Sequence, residues 1–393
     1  MSLGIMAGHY SGEGQARLDT GVLDGVPRRI LLACPQRIGD VLLATPLARS
    51  LKRAWPEADL DMLVFEDTAT VLDENPDIAR VIAVPRRAGF SARVNELRGL
   101  WRRYDLALAP LATDRARLYA WAAGRQRVGM VVPGLKDRAK TLLLDRHIEF
   151  DDFDTHSVAM GLRLAKMIGI TPCYEVVPPG IAADGLDALL ARLAPSGGQG
   201  FAVLHPYPKF TYKMWTQPAW IALAVWLQQR GLGVVFTGGS EPAELAYVAA
   251  IARALPTGPL TLNLAGTLTL GASAELIRRA CLYVGPDTAV THIAAATGTP
   301  TAALFGPSNP VKWGPWPKGW TSGDSPWQRR GSGRHGNVFL LPGPGDCVPC
   351  MLEGCQRNIL SRSDCLDQLA AAAVIAAAEA MLAEPRQLPA YHH

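Results

Sequence analysis

Residues 284–307 read V-G-P-D-T-A-V-T-H-I-A-A-A-T-G-T-P-T-A-A-L-F-G-P. An apolar run at 281–284 ends at Gly285-Pro286, a helical pattern spans 288–297, and a second apolar run fills 301–305. Two short apolar runs flanking one helix form a βαβ unit, which implies a parallel sheet. The turn into the helix aims backbone N–H groups and the positive end of the helix dipole beyond the strand, so it is an anion site by geometry. Asp287, Thr288, Ala289, Thr291 and His292 occupy it. The hydroxyls of Thr288 and Thr291 are candidate extra donors to a diphosphate.

The same alternation recurs on either side. Runs at 201–205, 233–237 and 260–264 are separated by helical patterns near 218–230, 242–254 and 273–280. Earlier, runs at 29–34, 60–65, 81–84, 106–109 and 127–130 accompany helices at 40–54 and near 155–168, and the proline-punctuated stretch 174–180 divides the halves. The expected fold is α/β, with two Rossmann-like, doubly wound parallel-sheet domains facing a central cleft, and ligands at the carboxyl ends of the strands. Expected boundaries are a flexible extension at 1–27, a first domain at 28–178, a linker at 179–199, a second domain at 200–345, and a cysteine cluster with a terminal helix at 346–393. Residues 306–346 read as irregular, and a helix from 366 to about 382 is expected to pack back across the domain junction.

Composition narrows the classes. A chain of 393 residues exceeds what one core usually serves, and 49% apolar with 19% charged residues excludes wholesale disorder. No apolar run reaches the roughly 18 residues of a membrane span, and the first 27 residues hold no export-signal block. Seven cysteines are too sparse for a disulfide-stapled secreted scaffold. The expected location is the cytoplasm. A net charge of +4 gives no argument for nucleic acid. Between 86 and 146, however, fourteen Lys or Arg face five Asp or Glu. That excess suits an acidic glycolipid or an anionic membrane surface, or is simply a solvated arginine-rich face.

The turn after the first run, Pro35 to Asp40, carries Arg37 and Gly39. Gly39 is expected to take a positive φ, and Asp40 to cap the helix and, facing the cleft, to serve as a general base. No G-x-G-x-x-G follows, so a nicotinamide cofactor has no support. In the second half, the 205–215 loop brings His205, Lys209 and Lys213, and the 237–241 loop brings Gly238, Gly239 and Glu241, whose carboxylate suits ribose hydroxyls. Cys347, Cys350, Cys355 and Cys365 are spaced C-x2-C-x4-C-x9-C; a zinc site is the rival to reduced thiols there. Asp59-Leu60-Asp61 and Asp152-Phe153-Asp154 are set aside as chance triplets rather than metal sites. Tryptophans 313, 316, 320 and 327 read as pins for a long loop.

Four stretches together resemble a known family: R-I-G-D-V-L-L-A-T-P-L at 37–47, H-P with K-M-W within 205–215, L-A-G-T-L-T-L at 264–270, and the opening motif at 284–307. From about residue 28 to 382 the chain is similar to glycosyltransferase family nine, the ADP-heptose:lipopolysaccharide heptosyltransferases. The resemblance implies a GT-B fold and inverting, metal-independent transfer of a sugar, by family default heptose from ADP-heptose, to a lipopolysaccharide core or related glycan. It implies Asp40 as base, Lys213 as phosphate ligand, and Asp287, Thr288 and His292 as the donor element, with Ala289, Thr291, His205, Gly238, Gly239 and Glu241 expected around the donor from their loops. Arg37, Gly39 and Thr45 fall to the acceptor. It also implies work at the inner face of the cytoplasmic membrane, with no required cofactor. Tyr207-Pro208 stands where the family usually has glycine, and Ala289 and Pro286 also depart from its pattern. A sugar-nucleotide epimerase or hydrolase, and a non-catalytic sugar-nucleotide binder, are the competing readings.

Overall fold

The computed structural model describes residues 23–134, 137, 139–180, 186–191, 200–256 and 260–384. The expected extension up to residue 22, and 181–185 and 192–199 of the expected linker, lie outside the described residues. The first sheet contains β1 (Arg29–Ala33), β2 (Asp59–Phe65), β3 (Arg80–Val84), β4 (Tyr104–Ala109), β5 (Gly124–Val131) and β6 (Arg146–Glu149). Their order is β3-β2-β1-β4-β5-β6, every pair parallel. Helices α1 (Ile38–Ala54), α2 (Phe90–Leu100), α3 (Asp114–Ala123) and α4 (Ser157–Met167) accompany it.

The second sheet runs β12-β13-β11-β10-β7-β8-β9. Its strands are β7 (Phe201–Leu204), β8 (Gly233–Phe236), β9 (Thr261–Asn263), β10 (Leu282–Pro286), β11 (Thr301–Phe305), β12 (Gly333–His335) and β13 (Val338–Pro342), parallel except for the β12–β13 pair. Its helices are α5 (Leu186–Ala191), α6 (Gln217–Gln229), α7 (Pro242–Arg253), α8 (Leu270–Arg279), α9 (Ala289–Thr297), α10 (Pro310–Trp313), α11 (Asp364–Asp367) and α12 (Ala371–Leu382). In each sheet the order reverses beside a central strand pair, β1/β4 and β7/β10. A crevice therefore opens beyond the carboxyl ends of those strands.

Two expectations need correcting. Residues 306–346 are not wholly irregular: β13 is a buried strand paired to β11, hidden in the sequence by Gly and Pro on both sides. The terminal helix breaks between α11 and α12, and it does not cross the junction. Val374, Ala377, Ala378 and Met381 pack into the second core beside Trp215, Trp220 and Leu223. The segment that does cross is the tryptophan-rich one. Trp316 lies in the first core, 4.6 Å from the His156 ring and stacked on Tyr174 at 6.3 Å, and Trp313 and Trp320 pack against the same cluster.

That core is shared between the halves. Ala274, Ile293 and Ala296, from α8 and α9, sit in one cluster with Val41, Leu42 and Leu43 of α1. Removing the Trp316 indole should therefore loosen the junction as well as a loop. Trp316→Ala is expected to cost about 3–5 kcal/mol in denaturant unfolding; a loss under about 1 kcal/mol would show that the strap is held elsewhere.

Candidate active site

The main cavity, about 650 Å³, opens between the two sheets. That volume falls within the range usual for ligand pockets of roughly 300–1,000 Å³. Its first-half wall includes Arg37, Ile38, Gly39, Asp40, Asp67, Arg86, Asp152 and Phe153; its second-half wall includes Lys209, Phe210, Lys213, Asp287, Thr288, Ala289 and His292. Thus α1 and α9 both point their N-termini into it. They approach closely, since a Cβ added at Gly39 would meet His292 Cδ2 at 4.0 Å.

Local geometry differs from expectation at the start of α1. The helix begins at Ile38 with Arg37 as N-cap, so Gly39 is helical rather than a positive-φ turn residue, and Asp40 is the third helical residue rather than the cap. From there the Asp40 carboxylate takes a hydrogen bond from the Arg37 backbone. Burial pushes its carboxyl up to about 6, against the opposing pull of Arg37, Lys312 and Lys213. Arg37 also lays its guanidinium 5.2 Å from the centre of the Phe210 ring, bridging the two walls.

Across the cavity, Thr288 is the N-cap of α9 and makes no side-chain capping bond, so the Ala289 and Val290 amides keep their anion-binding capacity, while the Thr291 amide donates to the Thr288 carbonyl at 3.1 Å. Asp287 is buried, yet its carboxyl is held below the usual range. Burial opposes ionisation, but Lys213, at 2.5 Å, the Ser308 hydroxyl and His292 outweigh it. Burial drives His292 down to about 4. The ring is thus neutral near pH 7, and its Nδ1 is buried with no hydrogen-bond partner.

Other expected residues do not reach the cavity. Thr291 is spent internally, donating to the Pro286 carbonyl at 2.6 Å and meeting the Tyr283 hydroxyl at 3.0 Å. His205 is buried, pairs with Thr237 Oγ1 at 3.0 Å and is driven down to about 4 by burial. Gly238, Gly239 and Glu241 are absent from the lining; the Gly239 amide is taken by Glu244 at 2.6 Å, and Glu241 is exposed at the start of α7. Thr45 is fully buried on α1. Pro46, inside the helix, has no N–H for the Leu42 carbonyl. Thr45 Oγ1 supplies that bond at 2.7 Å, and accepts another from the Val177 amide at 2.9 Å. Its task is to repair the helix.

The cysteine cluster flanks the cavity without entering it. Met351, Leu352 and Glu353, between Cys350 and Cys355, line the wall. Cys347, Cys350, Cys355 and Cys365 are free thiols, and burial pushes Cys365 up to about 11. Among the described residues no group of three or more His, Cys, Asp or Glu is arranged to hold a metal. The two Asp-x-Asp triplets are held by ion pairs, Asp61 with Arg80 and Asp154 with Arg329, while Asp152 lies near Lys312. Within the basic stretch 86–146, Arg93, Arg117, Arg125, Arg127 and Lys140 pair with acids of the same stretch, and Arg86 pairs with Asp67 from outside it. Cavity residues the sequence reading missed include Arg86, Phe210, Tyr212, Ser308, Asn309 and Trp313.

The sequence model of glycosyltransferase family 9 (heptosyltransferase) matches residues 98–324. The chain belongs to glycosyltransferase family 9. It is 32% identical over 292 residues to lipopolysaccharide heptosyltransferase 3 of Escherichia coli K12, covering 71% of this chain and 82% of that protein. A family 9 glycosyl transferase from Veillonella parvula superposes with a TM-score of 0.72 at 20% identity, covering 91% and 98% of the two chains. For E. coli heptosyltransferase WaaC with ADP the values are 0.65, 21%, 90% and 99%. The fold is therefore GT-B, and the protein is a glycosyltransferase. Family membership favours transfer over the epimerase, hydrolase and non-catalytic readings.

Among family 9 residues expected at the acceptor, Thr45 separates structural from binding roles. Thr45→Val should lower stability by about 1–3 kcal/mol, the cost of orphaning a buried amide and carbonyl. Substrate KM should stay unchanged; a raised acceptor KM in a fully folded variant would return Thr45 to the acceptor site.

Proposed function

We propose that this family 9 enzyme transfers heptose, with inversion and without a required metal, from ADP-heptose to a lipopolysaccharide core acceptor. The carrying observation is that one cavity joins a half-buried carboxylate on α1 to the N-terminus of α9. Asp40 takes the proton from an acceptor hydroxyl while that oxygen attacks the anomeric carbon. The bond to the nucleotide diphosphate breaks on the opposite face, and the departing electrons collect on phosphate oxygens. Backbone amides at the start of α9, with Lys213 and Lys209, stabilise that charge, and the neutral His292 ring borders the donor. Arg37 and Gly39 border the acceptor side. The relatives' names specify lipopolysaccharide, so the acceptor is lipid-linked, and peripheral association with the inner face of the cytoplasmic membrane belongs to this reading. No helix among the described residues is long and apolar enough to cross a membrane.

Asp40→Asn is expected to lower kcat by about 10²–10⁴-fold, the usual contribution of a positioned base, with donor affinity nearly unchanged. The base works deprotonated, so activity should fall as pH drops through about 6. Turnover like that of the parent enzyme in the variant would remove Asp40 from this role.

Lys213→Ala should raise the donor KM by roughly ten- to a hundredfold through the lost charge-assisted bond. It also strips Asp287 of its partner, so the variant should lose stability. An unchanged donor KM in the folded variant would show that the diphosphate binds elsewhere.

A further inference from the structure

Lys312 belongs to α10 in the second half of the chain, yet its ammonium ends in the first half. The side chain is 1% exposed; Nζ donates to the Asp151 carbonyl at 2.5 Å, stands 4.0 Å from the centre of the Phe150 ring and lies 4.0 Å from Asp152 Oδ1. Three more bonds stitch the same two segments. Ser157 Oγ donates to the Lys312 carbonyl at 3.2 Å, Asn309 Nδ2 to the Phe153 carbonyl at 2.7 Å, and His156 Nε2 to the Gly314 carbonyl at 2.7 Å. Asp152 and Phe153 on one side, and Asn309 and Trp313 on the other, line the cavity. The clamp is therefore part of the wall between the acceptor and donor sides.

The charges facing Lys312 come from every neighbouring element: Asp151 and Asp152 from the β6–α4 loop, Arg163 from α4, His156 at its cap, and Asp40 from α1. His156 is neutral, because burial drives it to about 3. A buried ammonium carries a desolvation cost that a methionine of similar shape would avoid. Packing alone therefore does not account for a lysine here.

We propose that Lys312 is a positioning residue for sugar transfer: it clamps the 150–154 wall to the second domain and presents its charge to Asp40, keeping the base ionised and in register with the α9 amides. The inference rests on the reading of Asp40 as the base. Burial holds the Lys312 ammonium down to about 8, against the pull of Asp152, Asp151 and Asp40. The signs then combine. Asp40 must lose its proton, above about 6, and Lys312 must keep its own, below about 8, for its charge-assisted clamp on Asp151, Asp152 and Phe150 to hold, Asp40 being ionised at that pH regardless, so kcat/KM against pH is a bell.

The test uses the full-length enzyme with ADP-heptose and a lipopolysaccharide acceptor, comparing Lys312→Arg and Lys312→Met with the parent. Arginine stays charged throughout, so Lys312→Arg should keep kcat within about threefold and lose the alkaline limb. Lys312→Met should lower kcat by about ten- to a hundredfold and move the acid limb to higher pH, with the ADP dissociation constant within about twofold. An alkaline limb that persists in Lys312→Arg overturns the clamp. So does a folded Lys312→Met that keeps kcat, or one that loses ADP affinity in step with kcat, as a purely structural lysine would. Should Lys312→Met not fold, the pH profile of Lys312→Arg decides alone. Asp40→Asn distinguishes the two levels: its activity tests the base with Lys312 intact, whereas the alkaline limb tests Lys312 with Asp40 intact.

Discussion

Two helix N-termini aimed at one cavity set the electrostatics of this enzyme. Each carries roughly half a positive charge, and Arg37, Lys209 and Lys213 stand beside them, so cations and helix ends meet the carboxylates Asp40 and Asp287 in the gap between α1 and α9. Two carboxylates, Asp287 buried and Asp40 half-buried, sit in this field and respond oppositely. Asp287 has Lys213 at 2.5 Å, a direct partner, and stays ionised. For Asp40 the cations act from farther away, and burial prevails, raising its carboxyl to about 6. One acid thus serves as a fixed counter-ion, and the other is poised to take and release a proton near neutral pH. The division follows from contact: Asp287 touches a cation directly, whereas those acting on Asp40 do so from a distance.

Both halves reach this arrangement by the same topology. In each sheet the loop after a central strand begins a helix at the switch point: β1 leads into α1, and β10 into α9. Tight packing then fixes the second loop. A Cβ at Gly285 would run into the Tyr283 hydroxyl and come within 2.8 Å of Thr291 Oγ1, so the backbone lies directly on these side chains. Thr291 anchors that turn from below, which explains why a hydroxyl beside the anion site takes no part in lining it.

Much of this was legible in the sequence, for identifiable reasons. Strands buried on both faces, such as Leu282–Pro286 and Thr301–Phe305, are continuous apolar runs that stand out from their neighbours. Strand β6 does not, because Arg146 and Glu149 bracket a short edge strand with charge. The placement of Asp40, Lys213, Asp287, Thr288, Ala289 and His292 at the cavity was readable because each lies in a loop or in the first helical turns that topology sends to the cleft. Thr45 misled for the opposite reason: its hydroxyl answers a local fault created by Pro46, and a motif does not distinguish repair from recognition. The 237–241 loop misled because Glu244, one helical turn on, takes the amide expected to meet a ligand.

Lys312 was illegible because its burial depends on a segment some 160 residues earlier. Four bonds join 309–314 to 150–157, and each takes its partners from both halves of the chain. Neither half alone would bury the lysine, fix His156 as a neutral ring, or raise Asp40. The His156 tautomer follows from the same contacts: Nδ1 accepts from the Val158 amide at 3.1 Å, so Nε2 must carry the proton it donates to Gly314. Such a junction gains little net stability from its buried charge, because desolvation offsets most of the Coulomb attraction. What it supplies is placement: opening the halves would expose the ammonium, break its carbonyl bond and part the base from the anion site in one motion.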